Sequence, residues 1–490
     1  MTQNPIKSLA GQTAVYGMGT IIPRLLNYLL VPVYTRVFVD QALYGQITEL
    51  YAYIAFLMVL LTYGMETAFF RYAQKHDHQK VFNQAMSSIL LTTSIFVLLV
   101  FVFNNQIAAW LNYEGNGIYI LMAALIVAFD AITAIPFAFL RKQNKARKFA
   151  VIRLVNVIFT ILLNFITVIW FPKDFLMFAK EIFGPDTNLV AGVFLSNLMA
   201  SGLSLIMLAG VFSKFRFSVE AGFLKPMLSY AWPVLVIGLA GMVNEMLDKI
   251  LLKYLLPADE NPLAQLGIYG ANYKLGVLMT LFIQMFRYAA EPFFFAEAEK
   301  KNAPALFARI MNYFVIAGLI IFLVVSLYID LFKLFIGTQY RDGLQIVPII
   351  LMANLFNGIY YNLAVWYKLT DRTLSGAIIA VGGAMLTIVL LIVVIPAYGY
   401  IGAAWVTLIV YFLMTLLSYI WGQKVFFIPY QFLKILTYIV IAVSIYLFIN
   451  WIKVENLVLK YFISAVAIAL FAYFSFRSET KSQKQHEANV

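Results

Sequence analysis

The chain has 490 residues, 63% of them hydrophobic and 12% charged, with a mean hydropathy of +0.85; this excludes a water-soluble domain and indicates a polytopic membrane protein. The net charge of +12 would suit nucleic acid, but the basic residues are scattered through short connectors between apolar stretches, so membrane orientation accounts for them and no nucleic-acid partner is expected. With no cysteine, disulfides and thiolate metal or redox centres are excluded.

A helix needs about 20 mostly apolar residues to cross the hydrocarbon core. The N-terminus, MTQNPIKSLAGQ, lacks the short apolar core and small-residue cleavage site of a signal peptide. Fourteen predicted spans follow: 12–37, 43–70, 85–107, 117–140, 149–171, 188–212, 228–255, 266–294, 307–329, 344–367, 374–396, 400–421, 431–450 and 456–476. His76 and His78 flank Asp77 in the polar connector after the second span, with no further ligand nearby. No metal site and no cofactor are expected.

The chain is internally duplicated. Tyr44-Gly45, Leu50, Tyr63, Glu66 and Phe69-Phe70 recur 225 positions on as Tyr269-Gly270, Leu275, Tyr288, Glu291 and Phe294-Phe295. An offset of 221 carries Ser8, Ala10, Gly17, Asn27 and Leu30 onto Ser229, Ala231, Gly238, Asp248 and Leu251. Duplicated membrane helices are the usual construction of secondary transporters, whose substrate lies between two rocking halves.

The connectors set the orientation. Twenty lysines and arginines, the cluster Arg141 to Lys148 among them, fall in the even-numbered connectors and at the termini. Five, namely Lys173, Lys180, Lys333, Arg341 and Lys453, fall in the odd-numbered ones. By the positive-inside rule both termini are cytoplasmic. The expected organisation is all-α, with a six-helix lobe at 1–212, a second at 213–424, two further helices at 425–476 and a cytoplasmic tail at 477–490. Six helices per half leave both halves in the same orientation, related by an axis along the membrane normal.

An ionisable side chain at mid-bilayer costs roughly 2.5–3.5 kcal/mol even on the lenient insertion scale, so each needs a partner, water or a function. Such residues are Arg24, Glu66, Asp130 and Arg153 in the first half, and Glu245, Asp248, Lys249, Lys274, Arg287 and Glu291 in the second. Arg153, Lys274, Glu66 and Glu291 sit near span ends, where long stems reach the headgroups. Arg24, Glu245 and Asp248 lie near mid-span and Asp130 only slightly off centre, so function is favoured there. Tyr16, Thr20, Arg24 and Asn27 fall on one helical stripe, as a cavity wall would. Glu245 and Lys249, and Arg287 and Glu291, are four apart, so each couple is expected to neutralise itself on its own helix. Substrate-binding candidates are Arg24, Asn27, Lys249, Lys274 and Arg287; ion-coupling candidates are Glu66, Asp130, Glu245, Asp248 and Glu291. Pro23, Pro32, Pro136, Pro233 and Pro348 lie in or beside spans and bend them.

The stretch VVIPAYGYIGAAWVTLIVY at 393–411, with Pro396, Tyr398-Gly399 and Gly402-Ala403-Ala404, resembles a signature of the polysaccharide transporters, in the superfamily that also holds multidrug exporters and lipid II flippases. A short polar N-terminus, Arg24 in the first helix, the Leu43-Tyr44-Gly45 connector and the segment Asn244 to Lys249 add to the resemblance. Many members carry an Asn before the Ile-Pro of the eleventh helix; here Ile392 to Ile395 is unbroken. The resemblance implies a flippase of the bacterial cytoplasmic membrane. It would move an undecaprenyl-diphosphate-linked oligosaccharide to the periplasmic leaflet by alternating access, with a proton or sodium ion, membrane lipids and other glycan-assembly proteins as partners. Helices 13 and 14 would help to host the lipid tail. A cation-coupled multidrug exporter of the same superfamily fits less well, since those have twelve helices and hold cations by carboxylates. A membrane enzyme of glycan polymerisation or ligation would need a larger extracytoplasmic loop than 172–187. No G-x-x-x-x-G-K-[ST] phosphate loop occurs, so direct ATP use is not expected.

Overall fold

A computed structural model describes residues 19, 21–298, 300, 302–452 and 454–488. The described residues are overwhelmingly α-helical and contain no strand. Eleven helices are long and apolar enough to cross a membrane, twelve if Pro262–Leu275 and Val277–Glu297, bent by 46° at their junction, count as one span. The 53-residue helix Thr373–Val425 contains a non-helical Gly399 (φ 55°, ψ −143°), just after Pro396, where the sequence separates the eleventh and twelfth spans. The first expected span lies partly outside the described residues, and Lys7, Ser8, Ala10, Tyr16, Gly17, Thr20, Lys301 and Lys453 fall outside them altogether. The count of fourteen therefore remains an expectation.

The chain forms two compact units, 1–267 and 268–490. In the first, a helical stretch at 21–28 leads through a turn to α1 (Val31–Val37). Next come α2 (Gln41–Thr62), α3 (Met65–Tyr72), α4 (His78–Val102), α5 (Gly117–Lys142) and α6 (Ala146–Asn164). The unit is completed by α7 (Pro172–Phe183), α8 (Val190–Met207) and α9 (Ala221–Leu255). Asp40 and Asp77 cap α2 and α4 by accepting the backbone N–H of Ala42 and Lys80, satisfying donors a helix start leaves open. The second expected span is broken at Tyr63-Gly64, both left-handed. A side chain at Gly64 would also run into Ala231 O and the Val234 side chain of α9, so glycine meets a turn and a close approach at once. Around this break Met65, Phe69, Phe82, Ile135, Phe139 and Met227 form a buried apolar core joining α3, α4, α5 and α9.

One segment of this unit differs from the sequence reading. The stretch 172–187, read as a loop, holds α7, whose Phe175 and Ala179 are buried while Lys173, Lys180 and Glu181 are exposed. Its charges lowered the apolar content below that of a span, yet they share one helical face. The polar connector before α9 is ordered against α4. Gln79 donates to Lys214 O (2.8 Å), Arg216 N donates to Asn83 (3.2 Å), Ser218 N to Ser87 (2.9 Å) and Glu220 N to Gln84 (2.9 Å). The first three follow from geometry, since four helical residues rise about 6 Å and two extended ones about 6.6 Å; at Glu220 the connector turns back to Gln84. Lys80 and Glu220 close the row at 2.7 Å.

The second unit holds α10 (Pro262–Leu275) from Ile268 onward, α11 (Val277–Glu297), α12 (Ala303–Leu327), α13 (Val347–Leu363), α14 (Thr373–Val425), α15 (Phe432–Trp451) and α16 (Leu457–Ala488). Helix α16 continues through residues read as a tail, because its polar end is anchored. Glu479 is 4% exposed and receives Tyr438 Oη (2.8 Å), Asn312 Nδ2 (3.1 Å) and Lys434 Nζ (2.8 Å). At the other end Lys460 pairs with Asp330 (2.8 Å), which also holds Lys333 (2.7 Å), and Tyr328 Oη donates to Tyr461 O (2.9 Å). The hydrogen bonds from Lys333 and Lys460 hold the Asp330 carboxyl below the usual range. Nineteen residues separate Lys460 from Glu479, about 28 Å of helix and so about one hydrocarbon thickness.

Two outcomes are expected. Reporter fusions at Asn116, Asp259 and Arg341 should read periplasm and those at Lys145, Lys214 and Lys301 cytoplasm; one inversion among the six breaks the fourteen-span topology. Replacement of Glu479 by Ala should lower the melting temperature in detergent by the loss of up to about 3 kcal/mol, since it strands Lys434 and two neutral donors. An unchanged melting temperature would show that α16 is held by its apolar face alone.

Candidate functional site

The residues singled out by charge fall into separate environments. Arg24 lies on the 21–28 helix beside the buried Pro23, and both Arg24 and Asn27 are exposed. Among the described residues Arg24 makes no ion pair, with Glu245 and Asp248 included. Its expected stripe neighbours Tyr16 and Thr20 lie outside the described residues.

On α9 the expected Glu245–Lys249 couple does not form as a carboxylate pair. Lys249 Nζ reaches Asp248 Oδ1 (3.1 Å) and the backbone oxygen of Glu245 (2.7 Å). Asp248 and Lys249 are both buried and the Glu245 side chain is exposed. The stem curls back over the preceding turn, where the backbone oxygen and the adjacent carboxylate are within reach. The Arg287–Glu291 couple is likewise replaced. Arg287 stacks over the Tyr361 ring at 4.2 Å, and Glu291 pairs with Lys368 from the short helix Val365–Leu369. Tertiary partners with better geometry displace the same-helix pair, which is worth only about 0.3–0.5 kcal/mol. Lys274 is exposed and engaged in an interaction of its own.

The repeat acquires a physical meaning at these carboxylates. Glu66 on α3 pairs with Arg141 at the end of α5, whose guanidinium also lies over Phe70 at 5.0 Å. Glu291, the repeat equivalent of Glu66, pairs with Lys368 close to Phe294 and Phe295. Each unit thus carries a carboxylate-to-cation tie beside a Phe-Phe pair. Arg141 and Lys368 were read only as orienting charges. They stand two residues out of register in the repeat, the one signal that connected them.

Asp130 on α5 differs from the other carboxylates. Its side chain is within hydrogen-bonding reach of Ser201 on α8 and near the Arg153 charge, but forms no ion pair among the described residues. Arg153 instead covers the Phe137 ring at 4.2 Å. Polar groups continue along this interior: Asn197 donates to Tyr51 Oη (3.0 Å), Asn156 to Ala200 O (2.8 Å) and Ser204 Oγ (2.9 Å), and Tyr34 Oη to Asn164 (2.8 Å). Such a lining suits a small cation or proton. No group of three His, Asp or Glu residues able to hold a metal occurs among the described residues.

Two buried charges escaped the sequence reading. Glu49 on α2 and Lys253 on α9 pair at 3.0 Å, their side chains 0% and 6% exposed. Both lie inside apolar windows, the same signal that singled out Glu66 and Glu291 near their span ends, and that signal could have found them.

A family model described as polysaccharide biosynthesis protein matches residues 9–297. No curated protein matches the chain at the sequence level. Among solved structures, the lipid II flippase MurJ in an inward closed conformation is similar with a TM-score of 0.66 at 15% identity, covering 95% of this chain and 99% of that one. An inward-facing multidrug resistance MATE family transporter of the MOP superfamily follows at 0.60 and 12%, covering 84% and 97%. The MATE multidrug transporter DinF-BH gives 0.57 at 14%, covering 85% and 95%. These likenesses establish a shared multi-pass helical fold over nearly the whole chain, and the family match establishes that the chain belongs to the polysaccharide biosynthesis protein family.

Proposed function

We propose that this protein is a flippase that carries an undecaprenyl-diphosphate-linked oligosaccharide across the bacterial cytoplasmic membrane by alternating access, with residues 1–212 and 213–424 as its two lobes. The observation that carries the reading is Arg24, a mid-span guanidinium that is exposed and without an ion pair among the described residues, in a chain of the polysaccharide biosynthesis family. A guanidinium stays charged when desolvated and its planar fork matches phosphate oxygens. Arg24 and Asn27 would hold the diphosphate, with Lys249, Lys274 and Arg287 contributing from the second lobe.

The fold shared with a lipid II flippase supports a lipid-linked cargo. So does an apolar groove in the second unit, between α13 and α14 on one side and α15 on the other, lined by Ile359, Leu363, Phe412, Leu416, Ile435 and Leu436. It would receive the polyprenyl tail. The membrane potential favours export of an anion by about 2.3 kcal/mol per charge per 100 mV. Coupling to a proton or sodium ion would run through Asp130, whose partners are a hydroxyl and a displaced arginine; Glu66 and Glu291 are committed to cations. Multidrug export is the second reading, supported by the MATE-like fold and weakened by the central arginine, which would repel cationic drugs. A polymerase or ligase is disfavoured by the lack of a large loop for catalytic groups.

Arg24→Ala should abolish surface glycan, since a bidentate charge-assisted contact is worth about 3 kcal/mol, roughly a hundredfold. Arg24→Lys should retain part of it. Adding Glu245→Ala or Asp248→Ala to Arg24→Ala should not rescue; restoration at normal protein levels would make Arg24 a structural partner instead. Among single amide substitutions at Glu66, Asp130, Asp248 and Glu291, Asp130→Asn should alter the pH or sodium dependence of flipping most. If all four leave that dependence unchanged, coupling does not pass through these carboxylates.

A further inference from the structure

The end of the first unit formed by the start of α2, the connector after α4 and the end of α9 is tied by charge. Lys253 Nζ donates to Glu49 Oε1 and Oε2, both at 3.0 Å, and to Leu111 O at 2.5 Å, and it sits 4.2 Å from the centre of the Tyr113 ring. Glu49 also accepts from Tyr113 Oη (2.8 Å) and Tyr53 Oη (3.1 Å), and Tyr53 shares a hydrogen bond with Tyr254 (2.9 Å). All three ammonium protons have acceptors, and both carboxylate oxygens are doubly engaged. One turn away, α2 crosses the start of α10 backbone on backbone: a methyl at Gly45 would overlap Leu263 O, and one at Gly267 would overlap Gln41 O.

The opposite end of the α2–α3 contact with α9 is built differently. There Gly64 meets Ala231 and Val234, and Arg71 lies over the Tyr230 ring at 4.5 Å. That seam is apolar with one cation over a ring, whereas the Glu49 seam is ionic and dry.

We propose that the Glu49–Lys253 pair is the latch of the extracytoplasmic gate. This rests on the alternating-access reading with lobes 1–212 and 213–424, whose boundary runs inside the first compact unit, between α8 and α9, so that outward opening must part α2 from α9 at this end. A buried ion pair is no better than apolar packing as a permanent strut, because its attraction is offset by desolvation. It suits a joint that opens, because parting into a water-filled vestibule rehydrates both charges and leaves no apolar face uncovered. The interdigitated Gly45 and Gly267 crossing brings the backbones close enough to keep water from the pair while it is shut. Tyr113 and Leu111 bring the connector after α4 into the same latch, so its loss is felt on three segments at once.

The chain has no native cysteine, so single-cysteine reporters have no background. Ala52, 1% exposed on α2, reports the latch end, and Ala231, 1% exposed on α9, the other end. Glu49→Gln and Lys253→Met should each raise labelling of Ala52→Cys by a membrane-impermeant maleimide from outside intact cells by about tenfold, the room available to a state populated at about 10% or less. Labelling of Ala231→Cys from the cytoplasmic side should fall in the same variants. A rise at both reporters would mean a loosened fold, and no change at either would mean a passive contact; each overturns the latch, as does labelling of Ala52→Cys from the cytoplasmic side alone. Surface glycan, measured in parallel, tests the cargo separately: reciprocal labelling without glycan transport leaves the latch standing and removes the flippase reading.

Discussion

Everything in this protein follows from the cost of leaving a charge or an open backbone group in hydrocarbon. The backbone meets that cost by being helical almost throughout the described residues. The ionisable side chains meet it in four ways: by pairing within the fold, as Glu49 with Lys253 and Glu66 with Arg141; by lying over an aromatic ring, as Arg153 and Arg287; by lying within reach of a hydroxyl, as Asp130; or by staying exposed, as Arg24 and Glu245. The last two groups stand out because the others already have partners strong enough to explain their presence.

The same cost separates structure from mechanism. The carboxylate ties Glu66–Arg141 and Glu291–Lys368 join helices within a unit and occupy equivalent places in the duplication, as expected of elements that keep each half rigid. The anchors of α16 at Asp330 and Glu479 do the same for the C-terminal pair of helices, fixing both ends of a span about one bilayer thick. The Glu49–Lys253 pair also lies within the first unit, but it joins α2 to α9 across the boundary of the proposed lobes. A cycle between two states needs rigid halves and a joint whose two arrangements differ by only a few kcal/mol. Hydrated charges on one side of the exchange and a satisfied ion pair on the other meet that requirement.

The signature around Pro396 to Ala404 shows how a motif and a local conformation coincide. Pro396 removes a backbone donor and Gly399 takes a left-handed φ that other residues resist, and the long helix breaks there. The segment after it, Gly402 to Ala404, is small because it packs closely: a side chain at Gly402 would meet Val394 and Tyr398 from before the break.

The sequence by itself determined the membrane class, most of the spans, the duplication and the family, because hydropathy, loop charge and short motifs are properties of consecutive residues. It also picked out Arg24 and Asp130, whose isolation in apolar windows is visible without coordinates. Partner choice was decided only by the tertiary structure. Glu245 with Lys249 and Arg287 with Glu291 look complementary along one helix, yet their cations turn to Asp248 and to Tyr361, while Glu291 finds Lys368. Glu49 and Lys253 lie more than two hundred positions apart, and nothing local connects them. An ion pair is set by distance and dielectric in three dimensions, and a linear sequence fixes neither until its helices are packed.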